Sequence, residues 1–186
     1  MKNRKAKKGF TIIELVIVIA VIGILAAVLI PTFSGVIDKA NASAAAQNAK
    51  VIYEEASVAA AMGGVSLDGV KIADENDKYV YTVDGGSLTG PVEGAPAGMT
   101  ATSVKSNMKI YMSGVNVTFS NKQITFANVT GTIVIRNMDG EECGAKETNQ
   151  DYYTIAENKT SDNGWYSFTV KDTDGKVTNS GVFYLA

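Results

Sequence analysis

Residues 10–30 read FTIIELVIVIAVIGILAAVLI, and Lys7-Lys8-Gly9 stand directly before them. From Leu15 to Ile30, sixteen consecutive residues carry no polar side chain. As a helix rising about 1.5 Å per residue, the stretch covers roughly 31 Å, close to the thickness of one bilayer core. Its single charge is Glu14. A carboxylate at a bilayer centre costs about 2.5–3.5 kcal/mol on insertion scales, and less near the end of a span. An ionisable residue kept in such a segment points to function.

Upstream, residues 1–9 read MKNRKAKKG and hold five of the chain's 17 basic residues: Lys2, Arg4, Lys5, Lys7 and Lys8. A basic flank before an apolar span predicts a cytoplasmic N-terminus and a C-terminal part on the far side. A conventional secretory signal has a shorter apolar region, about 7–15 residues. A plain anchor explains the length and leaves Glu14 unexplained. Gly9 has no side chain, so a protease can hold its backbone closely in an extended form. Cleavage after Gly9 leaves an α-amine on Phe10. That ammonium, on the same chain or a neighbour, is the candidate partner of Glu14, and pairing offsets part of the desolvation of both charges.

Beyond Pro31 the pattern becomes that of an amphipathic helix. Phe33, Val36, Ile37, Ala40, Ala44, Val51, Val58 and Met62 share one stripe at helical spacings, with Asp38, Asn41, Asn48, Glu54 and Glu55 mostly off it. Gly63-Gly64 supplies a stop. The spacing predicts one helix over about Phe10–Met62, bent between Gly23 and Pro31, since proline removes a backbone hydrogen bond and crowds the preceding turn. Ala20, Gly23 and Ala27 give small residues that allow close helix approach.

Residues 65–186 are β-rich. Strands are expected at 79–83, 108–112, 115–119, 129–136, 152–155, 165–170 and 182–185. Asp84-Gly85, Asp139-Gly140 and Asp174-Gly175 signal hairpin turns, and residues 84–100 a long surface loop. The expected class is α+β: a long N-terminal helix, its second half packed on one antiparallel sheet that covers the Phe33–Met62 stripe at least in part. The expected divisions are a leader (1–9), an apolar helix (10–30), an amphipathic helix (31–64) and a β-rich domain (65–186).

Composition narrows the chemistry. The formal net charge is −2, and without the leader twelve basic residues face nineteen acidic ones, a balance of −7. No basic face for nucleic acid is evident. Histidine is absent and Cys143 is the only cysteine, which excludes an internal disulfide, the usual zinc sites and Ser-His-Asp or Cys-His catalysis. No catalytic cluster, metal site or cofactor is expected. Asp172 and Asp174 lack the later acidic ligands of a calcium loop and read as a turn. Cys143 lies beside Glu141 and Glu142, which do not favour a thiolate. Asn116, Asn128 and Asn158 stand in Asn-X-Thr patterns, frequent by chance.

The basic leader, Gly9, Phe10, Glu14, the apolar run and Pro31 together resemble the type IV pilin family, over residues 1 to about 60, with a cysteine-poor domain similar to pilins of Gram-positive bacteria. The resemblance implies a precursor anchored in the cytoplasmic membrane. A prepilin peptidase cuts between Gly9 and Phe10 and methylates the Phe10 amine. An assembly ATPase and a membrane platform protein then build a homo-oligomeric helical filament on the cell surface, serving adhesion, motility, aggregation or DNA uptake. Glu14 meets the N-terminus of a neighbouring subunit, and the Gly23–Pro31 segment loses helix in the filament. The alternatives are a pseudopilin of a type II secretion or competence system, which shares the leader, and a membrane-tethered binding protein that never polymerises.

Overall fold

The computed structural model describes residues 9–120, 122–146, 150–160 and 164–185. The basic residues of the expected leader, at positions 2–8, lie outside them. One long helix, α1 (Ile12–Gly63), precedes an antiparallel β domain. The chain divides within the helix into two units, the second beginning at Ala44.

In the first unit α1 runs without interruption through Gly23 and Pro31. Pro31 has no N–H to offer the carbonyl of Ala27. One residue on, Thr32 Oγ1 donates to the carbonyl of Val28 at 3.0 Å. Leu15, Ile17, Ile19, Ile22, Leu25 and Ile30 are all exposed, as are Phe33, Val36 and Ile37.

Among its described residues, the second unit holds the last turns of α1 and twelve strands. These are β1 (Lys71–Asp74), β2 (Val80–Asp84), β3 (Ser87–Val92), β4 (Met99–Ser103), β5 (Met108–Ser113), β6 (Asn116–Ser120), β7 (Gln123–Ala127), β8 (Thr132–Arg136), β9 (Gly144–Lys146), β10 (Tyr153–Ile155), β11 (Trp165–Lys171) and β12 (Val177–Tyr184). They form three antiparallel sheets rather than the single one expected, ordered β3-β2-β1-β5-β4, β6-β7-β10-β9 and β12-β11-β8. The division is set by pairings far apart in sequence, such as β8 with β11. The expected loop at 84–100 contains β3 and the start of β4. Asp84-Gly85 turns β2 into β3 and Asp174-Gly175 turns β11 into β12.

The helix meets this domain on a face the sequence pattern did not mark. Ala45, Ala49, Ile52, Ala56, Ala59 and Ala60 are buried, whereas Val51, Val58 and Met62 of the expected stripe are about half exposed. At about 100° per residue, the two faces are centred roughly 130° apart. Alanine has little hydropathy, yet it lets a sheet approach a helix closely, so packing selected the small face. Trp165, Phe168, Phe183, Ile110, Ile124 and Ile135 fill the core against it. Phe126 lies close to the rings of Tyr153, Phe168 and Phe183, with centroids 5.1–6.0 Å apart.

The helix end is well made. Gly64, at φ +65°, reverses the chain. Val65 N–H donates to the Ala60 carbonyl (2.9 Å) and Gly64 N–H to that of Ala61 (3.2 Å), the paired bonds of a Schellman cap. Gly63 lies against Ser167, so a Cβ there would collide with the Ser167 side chain.

Glu55 joins helix to sheet. One carboxylate oxygen accepts the Trp165 indole N–H at 2.8 Å, and the other pairs with Lys105.

Candidate functional site

The start of α1 gathers the residues singled out from the sequence. Gly9, Phe10 and Thr11 lie outside the helix, which begins at Ile12. The Gly9–Phe10 peptide is therefore not locked into helical hydrogen bonding. A Cβ at Gly9 would meet nothing within 4 Å, and Phe10 is 91% exposed. Both groups at this junction stand clear of the rest of the described chain.

Glu14 occupies the first turn. Its Oε2 accepts the backbone N–H of Thr11 at 2.8 Å and the Thr11 hydroxyl at 2.7 Å. The Glu14 N–H points back to Thr11 Oγ1 at 3.3 Å. This is a capping box, with Thr11 as the N-cap and Glu14 three residues on. It satisfies donors that every helix start leaves open, and it places the carboxylate at the positive end of the helix dipole. The sequence reading found Glu14 and missed Thr11. The Thr-x-x-Glu spacing ahead of the apolar run was the available signal.

Behind the cap, α1 is long and apolar enough to cross a membrane, and its most apolar window has no part buried by the chain itself. A Cβ at Gly23 would touch nothing within 4 Å. Bulky Val, Leu and Ile side chains surround the helix on every side, which marks a segment whose cover comes from lipid or from other chains.

The other candidates resolve into structure. Among the described residues, no group of three or more His, Cys, Asp or Glu side chains is placed to hold a metal ion. Asp172 Oδ1 accepts the N–H groups of Asp174 and Lys176 at 3.0 and 2.9 Å and closes the β11–β12 turn. Cys143 is buried and its Sγ donates to the Ile135 carbonyl at 3.6 Å. Burial pushes its thiol up to about 11, and Lys159 offsets this only in part. Asn116 opens β6 and Asn158 sits in a single 3-10 turn, Glu157–Lys159. Asn128 holds a left-handed backbone at φ +64°.

A family described as "Prokaryotic N-terminal methylation motif" matches residues 4–30. The helix start is a type IV prepilin motif. The motif covers the basic approach, Gly9, Phe10, the capped Glu14 and the apolar run up to Ile30. The chain is 43% identical over 72 residues to the "Type IV major fimbrial protein FimA" of Dichelobacter nodosus, covering 39% of this chain and 41% of that protein. It is 40% identical over 68 residues to a "Fimbrial protein" of Pseudomonas aeruginosa, or 37% of this chain and 40% of the relative. It is 36% identical over 83 residues to the "Type IV narrow pilus major component PilA5" of Thermus thermophilus, or 45% of this chain and 66% of the relative. The matches thus span from about two fifths to about two thirds of these relatives. No solved structure matches the chain.

Proposed function

We propose that this chain is a type IV pilin precursor, a structural subunit without enzymatic activity. The observation that carries the reading is the prepilin motif set at the start of a helix whose bulky apolar surface is left uncovered. Before assembly the helix holds the protein in the cytoplasmic membrane. The basic residues at positions 2–8 keep its N-terminus on the cytoplasmic side. A prepilin peptidase cuts between Gly9 and Phe10, which lie ahead of the helix, and methylates the new Phe10 amine. An assembly ATPase and a membrane platform protein draw the subunit into a helical filament of identical copies on the cell surface.

In the filament, neighbouring helices replace lipid around residues 12–37. Ala20, Gly23 and Ala27 permit close approach, and the branched side chains fill the spaces between. Glu14 takes the Phe10 ammonium of an adjacent copy, fixing the axial stagger between helices. Around Pro31 the carbonyl of Ala27 already lacks its intrahelical donor, so the Gly23–Pro31 segment is where the helix loosens during assembly.

The test is the intact mass of this protein in filaments sheared from cells. A dominant species beginning at methylated Phe10 is the expected result. A processed species confined to the membrane, with none in filaments, overturns the filament-subunit reading in favour of a pseudopilin. A species retaining residues 1–9 overturns the precursor reading altogether.

A further inference from the structure

The outer face of the first sheet carries a small enclosed cluster. Lys109 and Tyr111 stand two residues apart on β5 and share one face of the sheet, opposite Ile110, which joins the main core. The Tyr111 ring is buried there with Ala73 and Val80, and Met99 packs against them. Asp77, in the turn between β1 and β2, brings both carboxylate oxygens to this face. Oδ2 lies 2.9 Å from Lys109 Nζ, and Oδ1 accepts the Tyr111 hydroxyl at 2.8 Å. The Lys109 and Asp77 side chains are 19% and 17% exposed, against 33% and 28% for the Lys105–Glu55 pair.

Both partners are held by the backbone. Lys109 sits between β1 and β4, opposite Ala73 and Ser103. Asp77 has φ +56°. Its N–H donates to the Asp74 carbonyl at 3.1 Å, and its own carbonyl accepts the Gly94 N–H at 2.8 Å.

We propose that Lys109 and Asp77 condense into an intramolecular amide, with Tyr111 as donor to the carboxyl oxygen that stays. A proton first passes from the ammonium to Oδ2, leaving an amine and an acid. Nζ attacks Cγ, the C–N bond forms, and the Tyr111 hydroxyl stabilises the negative charge that develops on Oδ1. A second proton moves from Nζ to Oδ2, the Cγ–Oδ2 bond breaks, and water leaves. Of the three ammonium hydrogens, one stays on the amide and two depart in the water. Nothing is oxidised or reduced, and no other reactant is needed.

The driving force is position. Well-oriented groups within one molecule react as though at about 10⁵–10⁸ M. The apolar floor disfavours two charges and favours the neutral product. Burial pulls the Lys109 ammonium down, but the hydrogen bond to Asp77 and the charges of Tyr111 and Asp77 outweigh it and hold the group above its ordinary value. The neutral pair is therefore a minor state, and the bond forms slowly after folding. It ties the β1–β2 turn to the middle of the first sheet, in a chain whose single cysteine allows no internal disulfide.

The full-length chain, purified in detergent, is unfolded and weighed at intervals after synthesis, and its peptides are mapped. A species lighter by one water is expected to accumulate, with a branched peptide joining Lys109 to Asp77. Lys109→Arg keeps the charge and cannot close, so it is expected to keep its full mass. Tyr111→Phe keeps the ring and is expected to close about a hundredfold more slowly, the effect of losing one such donor.

A chain that keeps its full mass overturns the inference. So does water lost at an Asp-Gly succinimide, at Asp68, Asp84, Asp139 or Asp174, or a branch at Lys105 and Glu55 instead. A Lys109→Arg chain that loses water equally overturns it as well, and a Tyr111→Phe chain that closes at the original rate removes the donor. The map reads the same with or without residues 1–9, so its outcome is separate from that of the pilin reading.

Discussion

Single atoms decide several positions in this domain. Gly63 and Ser167 are one case. A methyl group at Gly63 would occupy space held by the Ser167 side chain, at a point where the Schellman cap fixes the backbone. Gly63→Ala is therefore expected to destabilise the fold by about 1–3 kcal/mol, the usual cost of forced overpacking, measured by denaturant unfolding of the full chain in detergent. Ser167 Oγ is itself buried with no hydrogen-bond partner among the described residues. Ser167→Ala should leave stability unchanged or raise it by up to about 1 kcal/mol, because a buried unsatisfied hydroxyl carries a desolvation cost. Cys143 is the second case. Its thiol, raised to about 11 by burial from an ordinary 9.0, holds about a hundredfold less thiolate at neutral pH than a free one. A thiol reagent at pH 8 should leave the folded protein unmodified and react once it is unfolded. The sign of the linkage is fixed. Between pH 9 and 11 the folded state keeps a proton the unfolded state has lost, so the stability present below pH 9 declines as pH rises through that window.

At the scale of elements, α1 packs on the sheets through its alanine face. Ala56 is 1% exposed and faces the core, while Val58, two residues on, is 45% exposed. Ala56→Leu is expected to cost about 1–3 kcal/mol, whereas Val58→Ser should change domain stability by less than about 0.5 kcal/mol. Unfolding curves that reversed this order would show that the bulky stripe, and not the alanine face, packs on the sheets. The chain has one tryptophan, and its indole donates to Glu55, so Trp165 fluorescence reports the joint directly. The extent of the helix was legible because Gly63-Gly64 and the alanine content are local signals. The face it buries was not. Hydropathy weights Phe33, Val36 and Val58 over Ala49 and Ala56, but a sheet approaching a helix selects for small volume. The turns at Asp84-Gly85 and Asp174-Gly175 were equally legible, since left-handed backbone is a property of a few residues. Strand order and the split into three sheets depend on pairings far apart in sequence, such as β8 with β11, and no local pattern encodes them. At the helix start, Gly9, Phe10 and Glu14 stood out as exceptions to their surroundings, while Thr11, an ordinary residue for its position, did not.

For the whole molecule, the proposed reading asks one segment to suit both lipid and protein surroundings, and Glu14 is the single charge in residues 10–30. Residues 15–30 could meet either environment, because branched apolar side chains pack against helices as well as against acyl chains. Glu14 alone distinguishes the two. Among the described residues its hydrogen-bond partner is its own cap, Thr11. In a filament it would gain the ammonium of a neighbour, a group the bilayer cannot supply. On the proposed pilin reading, this difference would bias the subunit toward the filament and select one axial register, since a helix displaced by a turn would leave both charges unpaired at a cost of several kcal/mol. Removing the charge should therefore separate two processes that share the same residues. Glu14→Ala is expected to insert into the membrane at least as well as the unsubstituted chain, since a charge in the apolar segment is lost. Its cleavage after Gly9 should persist, because the Gly9–Phe10 bond lies ahead of the helix in either case. Its incorporation into filaments should fall by at least about tenfold, corresponding to about 1.4 kcal/mol or more per contact. Mass spectrometry of the membrane fraction reads the first two outcomes, and the yield of sheared filaments reads the third. Filaments formed normally by Glu14→Ala would mean that the carboxylate acts only as a helix cap, and that register is set by the shapes of the apolar side chains alone.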